Sequence, residues 1–194
     1  MADVQVHTEI TPNPSTLKFV VDCSLGVTRP LSVPDLETAQ EKSPLAAKLF
    51  GCAGVISVFI GRDFISVTKS SEVPWPQLST SVAGAIQTHM QAGLAVLTTV
   101  PEGAPLSAQG QSQIERRIVE LIETQIAPAV AMDGGSIVFH GFEDGIVKLE
   151  MQGSCSGCPS SSATLKLGIE NLLREEIPEV QSVEQVFSEP HFHF

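Results

Sequence analysis

Two cysteines three positions apart, Cys155 and Cys158, are the residues of this sequence whose type and spacing best suit chemistry. In a tight turn, thiolates at this spacing point the same way, so they can bind one metal centre or exchange with one disulfide. Pro159 suits the first turn of a following helix, which places both cysteines at or just before a helix N-terminus. The free N–H groups and the dipole there favour thiolate over thiol.

The number of ligands limits what this pair binds. A structural zinc ion or an iron–sulfur cluster typically takes four protein ligands, and the pair supplies two. Either Cys23 and Cys52, the other cysteines of the chain, complete the site, or two chains meet and each contributes a pair. Unpaired cysteines are often small buried hydrophobes, so we favour two chains sharing one centre. A thiol–disulfide oxidoreductase using the same pair and a zinc-linked dimer stay open as alternatives.

Composition and charge exclude several classes of protein. Among the 194 residues, positions 1–100 carry six Lys/Arg against eight Asp/Glu, and positions 101–194 carry five against fourteen. Because an acidic half repels phosphate backbones, we expect no nucleic-acid partner. No apolar run reaches the roughly 20 residues of a membrane span, so we expect no membrane partner either.

The N-terminal stretch lacks the Lys and Arg of a signal or transit peptide. We therefore expect a cytoplasmic, bacterial protein, or a mitochondrial matrix protein from which a presequence was removed. No Ser-His-Asp set, carboxylate pair or nucleotide loop stands out in the sequence, so we expect a protein that is not an enzyme.

The elements that must position the cysteine pair indicate an α+β fold, with two small domains of mixed helices and strands. Pro, Gly and small polar residues at 98–112 predict a linker between a domain at 1–97 and a domain at 113–187, followed by a tail at 188–194. In the first domain, apolar and turn patterns predict a strand, a short helix, a hairpin and a longer helix, at 17–22, 44–50, 55–60 with 64–68, and 76–93.

The second domain has the predicted order α-β-β-α-β. An amphipathic stripe from Ile114 to Ile126 predicts the first helix, which Pro128 should end or bend. Strands are expected at 137–142, 146–151 and 180–187, and an apolar pattern predicts a helix after the cysteine pair. The Asp-Gly-Gly stretch at 133–135 lacks the lysine and spacing of a phosphate loop, so we interpret it as a turn that sets the next strand.

These motifs together resemble one family. The Asp-Gly-Gly stretch at 133–135, the Gly-Ser-Cys-Ser-Gly-Cys-Pro-Ser-Ser stretch at 153–161 and the helix after it closely resemble the C-terminal domain of NifU and Nfu proteins. The first domain is similar to the Nfu N-terminal domain through Thr-Pro-Asn-Pro at 11–14, Ser-Pro-Leu-Ala at 43–46 and the hairpin at 54–69. The tail at 188–194 has no obvious counterpart.

The resemblance implies an iron–sulfur cluster scaffold or carrier. In such proteins the CxxC pairs of two subunits hold a bridging 4Fe–4S cluster, which passes to apo iron–sulfur client proteins. By this resemblance the ligands here are Cys155 and Cys158, the protein forms a homodimer through the cluster, and an upstream assembly scaffold supplies it. The N-terminal domain would help dock clients, with Cys23 and Cys52 outside the site.

Overall fold

The computed structural model describes residues 4–98, 112–156 and 159–186, without the side chains of residues 156 and 159–163. These residues form two sheets, each with its own hydrophobic core, which confirms the α+β class and the two mixed domains. Most of the predicted linker and the predicted tail lie outside the described residues, so the domain boundaries stay a prediction. None of the described helices is both long enough and apolar enough to span a membrane.

The N-terminal domain is a five-stranded antiparallel sheet with the strand order β1-β2-β5-β4-β3. Its strands are β1 (Val6–Ile10), β2 (Thr16–Val21), β3 (Leu31–Val33), β4 (Val55–Ile60) and β5 (Phe64–Lys69). Its helices are α1 (Leu36–Lys42), α2 (Pro44–Phe50) and α3 (Trp75–Gln91). The predicted strand, short helix, hairpin and long helix are all confirmed, whereas β1, β3 and α1 were not predicted.

The two faces of this sheet have different neighbours. Side chains that alternate along the strands, among them Phe19, Val58 and Ile65, pack with helix residues in one buried core. Phe59 and Phe64 lie on the opposite face and are also buried, although they do not belong to that core. Their ring centroids are 5.9 Å apart. The opposite face is therefore covered by something other than the helices of its own domain.

The C-terminal domain follows the predicted order α-β-β-α-β, which is confirmed. Its elements are α4 (Gln113–Leu121), α5 (Ala127–Met132), β6 (Gly135–Glu143), β7 (Ile146–Gly153), α6 (Pro159–Glu176) and β8 (Ser182–Gln185). Strands β6 and β7 are antiparallel, and α6 carries the chain over to β8, which runs parallel to β7. Strand β8 is shorter than predicted.

Pro128 divides the first helical region as predicted, through a widened turn. A π-helical turn spans Ile122–Ile126, and the N–H of Ala127 donates to the carbonyl of Ile122, five residues earlier. Pro128 then falls in the first turn of α5, the part of a helix that tolerates proline best. The amphipathic stripe continues past the proline, so Ile118, Ile126 and Val130 all reach the core.

Candidate metal centre

Cys155 lies where β7 passes into α6. Residues Ser154–Ser156 form a single 3-10 turn directly after Gly153, and α6 begins at Pro159 as predicted. We call Gly153–Ser156 the Cys155 turn. Cys158 is outside the described residues, so its placement beside Cys155 stays a prediction.

The Cys155 thiol packs against a glycine of the neighbouring strand. Gly135 opens β6 and pairs with Gly153 across the sheet. A Cβ on Gly135 would stand 2.7 Å from the Cys155 Sγ and 2.8 Å from the Gln152 carbonyl oxygen, so only glycine leaves room for the sulfur. Cys155 is 6% exposed and belongs to the core of the C-terminal domain. The Asp-Gly-Gly stretch thus sets the next strand, as predicted, and also makes space for the thiol.

Ser154 fixes the turn through three hydrogen bonds. Its N–H donates to the Gly134 carbonyl at 3.3 Å, and its hydroxyl donates to the Asp133 carbonyl. The same hydroxyl lies 3.8 Å from the Cys155 sulfur. Both anchoring carbonyls belong to the turn before β6, so the two turns are held together as one structure.

Burial raises the pKa of the Cys155 thiol above its usual value of 9.0. The Ser154 hydrogen bond lowers the pKa in part, and the Asp133 carboxylate raises it. The expectation that the helix N-terminus favours thiolate is therefore wrong for Cys155 in this conformation. The cause is desolvation: a sulfur packed into an apolar core cannot hold a charge as easily as one in water.

The other two cysteines belong to the N-terminal domain. Cys23 and Cys52 are half-buried, and both pack against the core of that domain rather than the core containing Cys155. Burial raises the pKa of Cys52, and Lys48 lowers it in part. Within the described parts of the chain, no three His, Cys, Asp or Glu side chains come together as a metal site would require.

The N-terminal domain meets the Cys155 turn through the sheet face that its own helices leave uncovered. The Ser66 hydroxyl donates to the Gly134 carbonyl at 2.7 Å, and the Asn13 Nδ2 donates to the Ser154 carbonyl at 3.3 Å. Lys18 Nζ donates to the Met132 carbonyl at 3.2 Å. Phe59 packs on Gly153, where a Cβ would stand 3.1 Å from the ring. We call Asn13, Lys18, Phe59 and Ser66 the docking face.

Sequence reasoning did not assign these residues to the site. Asn13 belongs to the Thr-Pro-Asn-Pro stretch, which the sequence marks only as a motif of the first domain. The apolar run of β4 did carry a signal, because a strand that is buried on both faces has apolar side chains at successive positions. Nothing in the sequence indicated which part of the chain covers the second face.

Each of the two domains matches a family profile. A family profile described as NifU-like domain matches residues 118–184, and one described as scaffold protein Nfu/NifU N terminal matches residues 6–93. The human protein named NFU1 iron–sulfur cluster scaffold homolog, mitochondrial, is 42% identical over 95% of this chain and 72% of its own length. The protein of the same name from Drosophila sechellia is 45% identical over 95% of this chain and 65% of its own length.

Among solved structures, the solution structure of a NifU-like protein from Saccharomyces cerevisiae aligns with 50% of this chain and 86% of its own, at 24% identity and a TM-score of 0.45. The family profiles cover most of both domains, and the human relative extends over nearly the whole chain. The chain belongs to the NifU/Nfu family of iron–sulfur cluster scaffold proteins.

Proposed function

We propose that the protein carries a 4Fe–4S cluster as cargo between two of its subunits, each giving Cys155 and Cys158, and transfers it to apo iron–sulfur proteins. Membership of a scaffold family supports a role in cluster handling rather than catalysis. The observation that carries the proposal is the position of Cys155 in a turn that Ser154 fixes to the carbonyls of Asp133 and Gly134, shortly before a helix. Cys23 and Cys52 pack in a separate core, so a second chain is the natural source of further thiolates.

Two features near Cys155 would stabilise a bound cluster once the sulfur reaches the surface. Such a cluster with four thiolate ligands carries net negative charge, so it is stabilised by hydrogen-bond donors and by the positive end of a helix dipole. The helix α6 begins four residues after Cys155 and supplies the dipole. The Ser154 hydroxyl lies 3.8 Å from the sulfur and supplies a donor once it leaves the Asp133 carbonyl. A site divided between two chains opens when the chains separate. The acidic charge of residues 101–194 favours that separation through mutual repulsion.

The partners follow from this role. We propose a homodimer bridged by the cluster, an upstream assembly scaffold that supplies it, and apo iron–sulfur proteins that receive it. The two relatives described above are named as mitochondrial, which agrees with the alternative expectation of a mitochondrial matrix location. Location in a bacterial cytoplasm stays a prediction.

Anaerobic reconstitution with iron and sulfide tests the proposal. We expect a brown protein with about one four-iron cluster per two chains. Cys155→Ala and Cys158→Ala should each abolish the colour, whereas the matched controls Cys23→Ala and Cys52→Ala should retain it. A colourless protein that reduces disulfides through Cys155 and Cys158 would instead identify an oxidoreductase. Tightly bound zinc without sulfide would identify a zinc-linked dimer.

A further inference from the structure

The contact between the two domains falls on the Cys155 turn itself. The Gly134 carbonyl oxygen accepts hydrogen bonds from the Ser66 hydroxyl and from the Ser154 N–H. This one oxygen therefore joins the docking face to the Cys155 turn. Asn13 holds the carbonyl of Ser154, the residue directly before Cys155. The docking face therefore restrains the backbone on which the thiol depends.

The fit between the surfaces is close and specific. A Cβ on Gly134 would stand 2.6 Å from the Ser66 hydroxyl, and a Cβ on Gly153 would contact the Phe59 ring. Ser66 and Phe59 are each 2% exposed, although both lie on the side of the sheet away from its helices. Gly134 and Gly153 each have a positive φ, so their own backbone favours glycine, and the docking face packs into the space that this leaves. The burial of Ser66 and Phe59 there and the 2.7 Å hydrogen bond from Ser66 indicate a built contact.

The Thr-Pro-Asn-Pro stretch is shaped to make this contact. The Thr11 hydroxyl donates to the carbonyls of Asn13 and Thr16 at 3.0 and 2.9 Å. The Asn13 Oδ1 accepts from the Ser15 N–H, and the Trp75 indole N–H donates to the Pro14 carbonyl. These bonds hold the backbone of the loop and the Asn13 side-chain oxygen in place. The Asn13 side-chain Nδ2 is thereby directed at the Ser154 carbonyl. The loop therefore presents Asn13 in a fixed orientation.

The contact between the docking face and the Cys155 turn conflicts with binding of a shared metal centre by the Cys155 thiol. A sulfur that binds a centre shared with a second chain must reach the surface, and the Cys155 sulfur faces Gly135 inside its own domain. Ser154 and Cys155 must move for the thiol to turn outward, and the bonds from Asn13 and Ser66 oppose that movement.

We propose that the docking face of the N-terminal domain clamps the Cys155 turn and withholds the thiol, and that cluster loading requires the two domains to separate. The first part concerns the chain without iron, and only the second part rests on the proposed function. The clamp thus gives the Thr-Pro-Asn-Pro loop a role within its own chain.

Two variants of the docking face test the clamp. Ser66→Glu leaves no room beside Gly134, whereas in the undocked sheet a glutamate would stand opposite Lys18 as a favourable cross-strand pair. Asn13→Asp keeps the size of the side chain and its local acceptor but replaces the donor to Ser154 with a carboxylate. Ser81→Glu, on the exposed surface of α3, adds the same charge away from the contact and is the matched control.

The measurement is the rate at which a small alkylating reagent modifies Cys155 in iron-free full-length protein. All the proteins compared also carry Cys158→Ala, which removes the second thiol of the motif. Peptide mass spectrometry measures the modification of Cys155 and of Cys52 separately. We expect Ser66→Glu to raise the Cys155 rate about tenfold and Asn13→Asp about fivefold, since the net stabilisation by each lost hydrogen bond is of that order. The Cys52 rate and the Ser81→Glu protein should match the parent.

Folded Ser66→Glu and Asn13→Asp proteins with a Cys155 rate within about twofold of the parent would overturn the clamp. A rise in the Cys52 rate would show that Ser66→Glu unfolds the N-terminal domain, and Asn13→Asp then decides alone. Because no iron is present, this result is independent of cluster binding. A failed reconstitution would refute the proposed function and leave the alkylation rates unchanged.

Discussion

Replacement of Gly135 by alanine tests whether the space beside Cys155 is as tight as the structure indicates. The new methyl group would stand 2.7 Å from the Cys155 Sγ and 2.8 Å from the Gln152 carbonyl oxygen. The sulfur must turn away from β6 or move with the Cys155 turn, and the carbonyl, which is backbone of the paired strand β7, can move only with that strand. Overpacking of this kind costs about 1–3 kcal/mol, and lower entropy of the unfolded chain offsets less than about 1 kcal/mol. We expect a net loss of about 1–2 kcal/mol.

Hydrogen exchange of the β6 and β7 amides measures this loss within the C-terminal domain, where a global unfolding curve would mix both domains. Gly141→Ala is the matched control, since it lies on the same strand and a Cβ there meets no atom within 4 Å. We expect the control to change stability by less than about 0.5 kcal/mol.

Combining Gly135→Ala with Cys155→Ala removes the sulfur and should recover about 0.5–1 kcal/mol of the loss. Because the Gln152 carbonyl remains in place, recovery should be incomplete. Equal exchange rates in Gly135→Ala and Gly141→Ala proteins would refute the close packing of Cys155 on β6.

Three further changes test the local structure that supports the two domains. Ser112→Ala removes the capping box with Glu115 at the start of α4, which should lower C-terminal domain stability by about 1 kcal/mol in hydrogen exchange, while Ser112→Thr should retain most of it. Asp35 caps the N-terminus of α1, where its carboxylate accepts a hydrogen bond from the Thr38 N–H that lowers its pKa below 3.8. The stability from this cap is therefore present above pH 3.8 and lost as the pH falls through the lowered pKa. Acid titration followed by circular dichroism should show a weaker pH dependence in Asp35→Asn, and an unchanged one would contradict the cap. Trp75→Phe removes the hydrogen bond to the Pro14 carbonyl in the loop before β2 and should lower N-terminal domain stability by about 0.5–1.5 kcal/mol, measured by hydrogen exchange of the β2 and β5 amides. Unchanged exchange rates would contradict a stabilising role for that bond.

Local patterns predicted most of the fold because the elements concerned carry strong local signals. The hairpin of β4 and β5 has apolar strands joined at Gly61, and α2 begins with a serine cap followed by Pro44. Strand β1 was missed because it is an edge strand whose side chains are mostly exposed, so it shows no apolar alternation. Strand β3 has three residues, which is too short for a periodic pattern.

The candidate site was predictable only in part. The spacing of the cysteines and Pro159 indicated a turn before a helix, and the structure places Cys155 in that turn. The burial of its thiol depends on Gly135, 20 positions earlier, and the restraint by Asn13 depends on a residue 141 positions away from Ser154. Contacts at such separations arise from tertiary packing, which periodicity within a short window does not report.

The mass of the reconstituted protein under native, anaerobic conditions tests the central claim most directly. We expect a species of two chains carrying one Fe4S4 unit, which is lost in Cys155→Ala and retained in Cys52→Ala. A cluster held by a single chain, or a two-chain species whose cluster survives Cys155→Ala, would contradict the shared site.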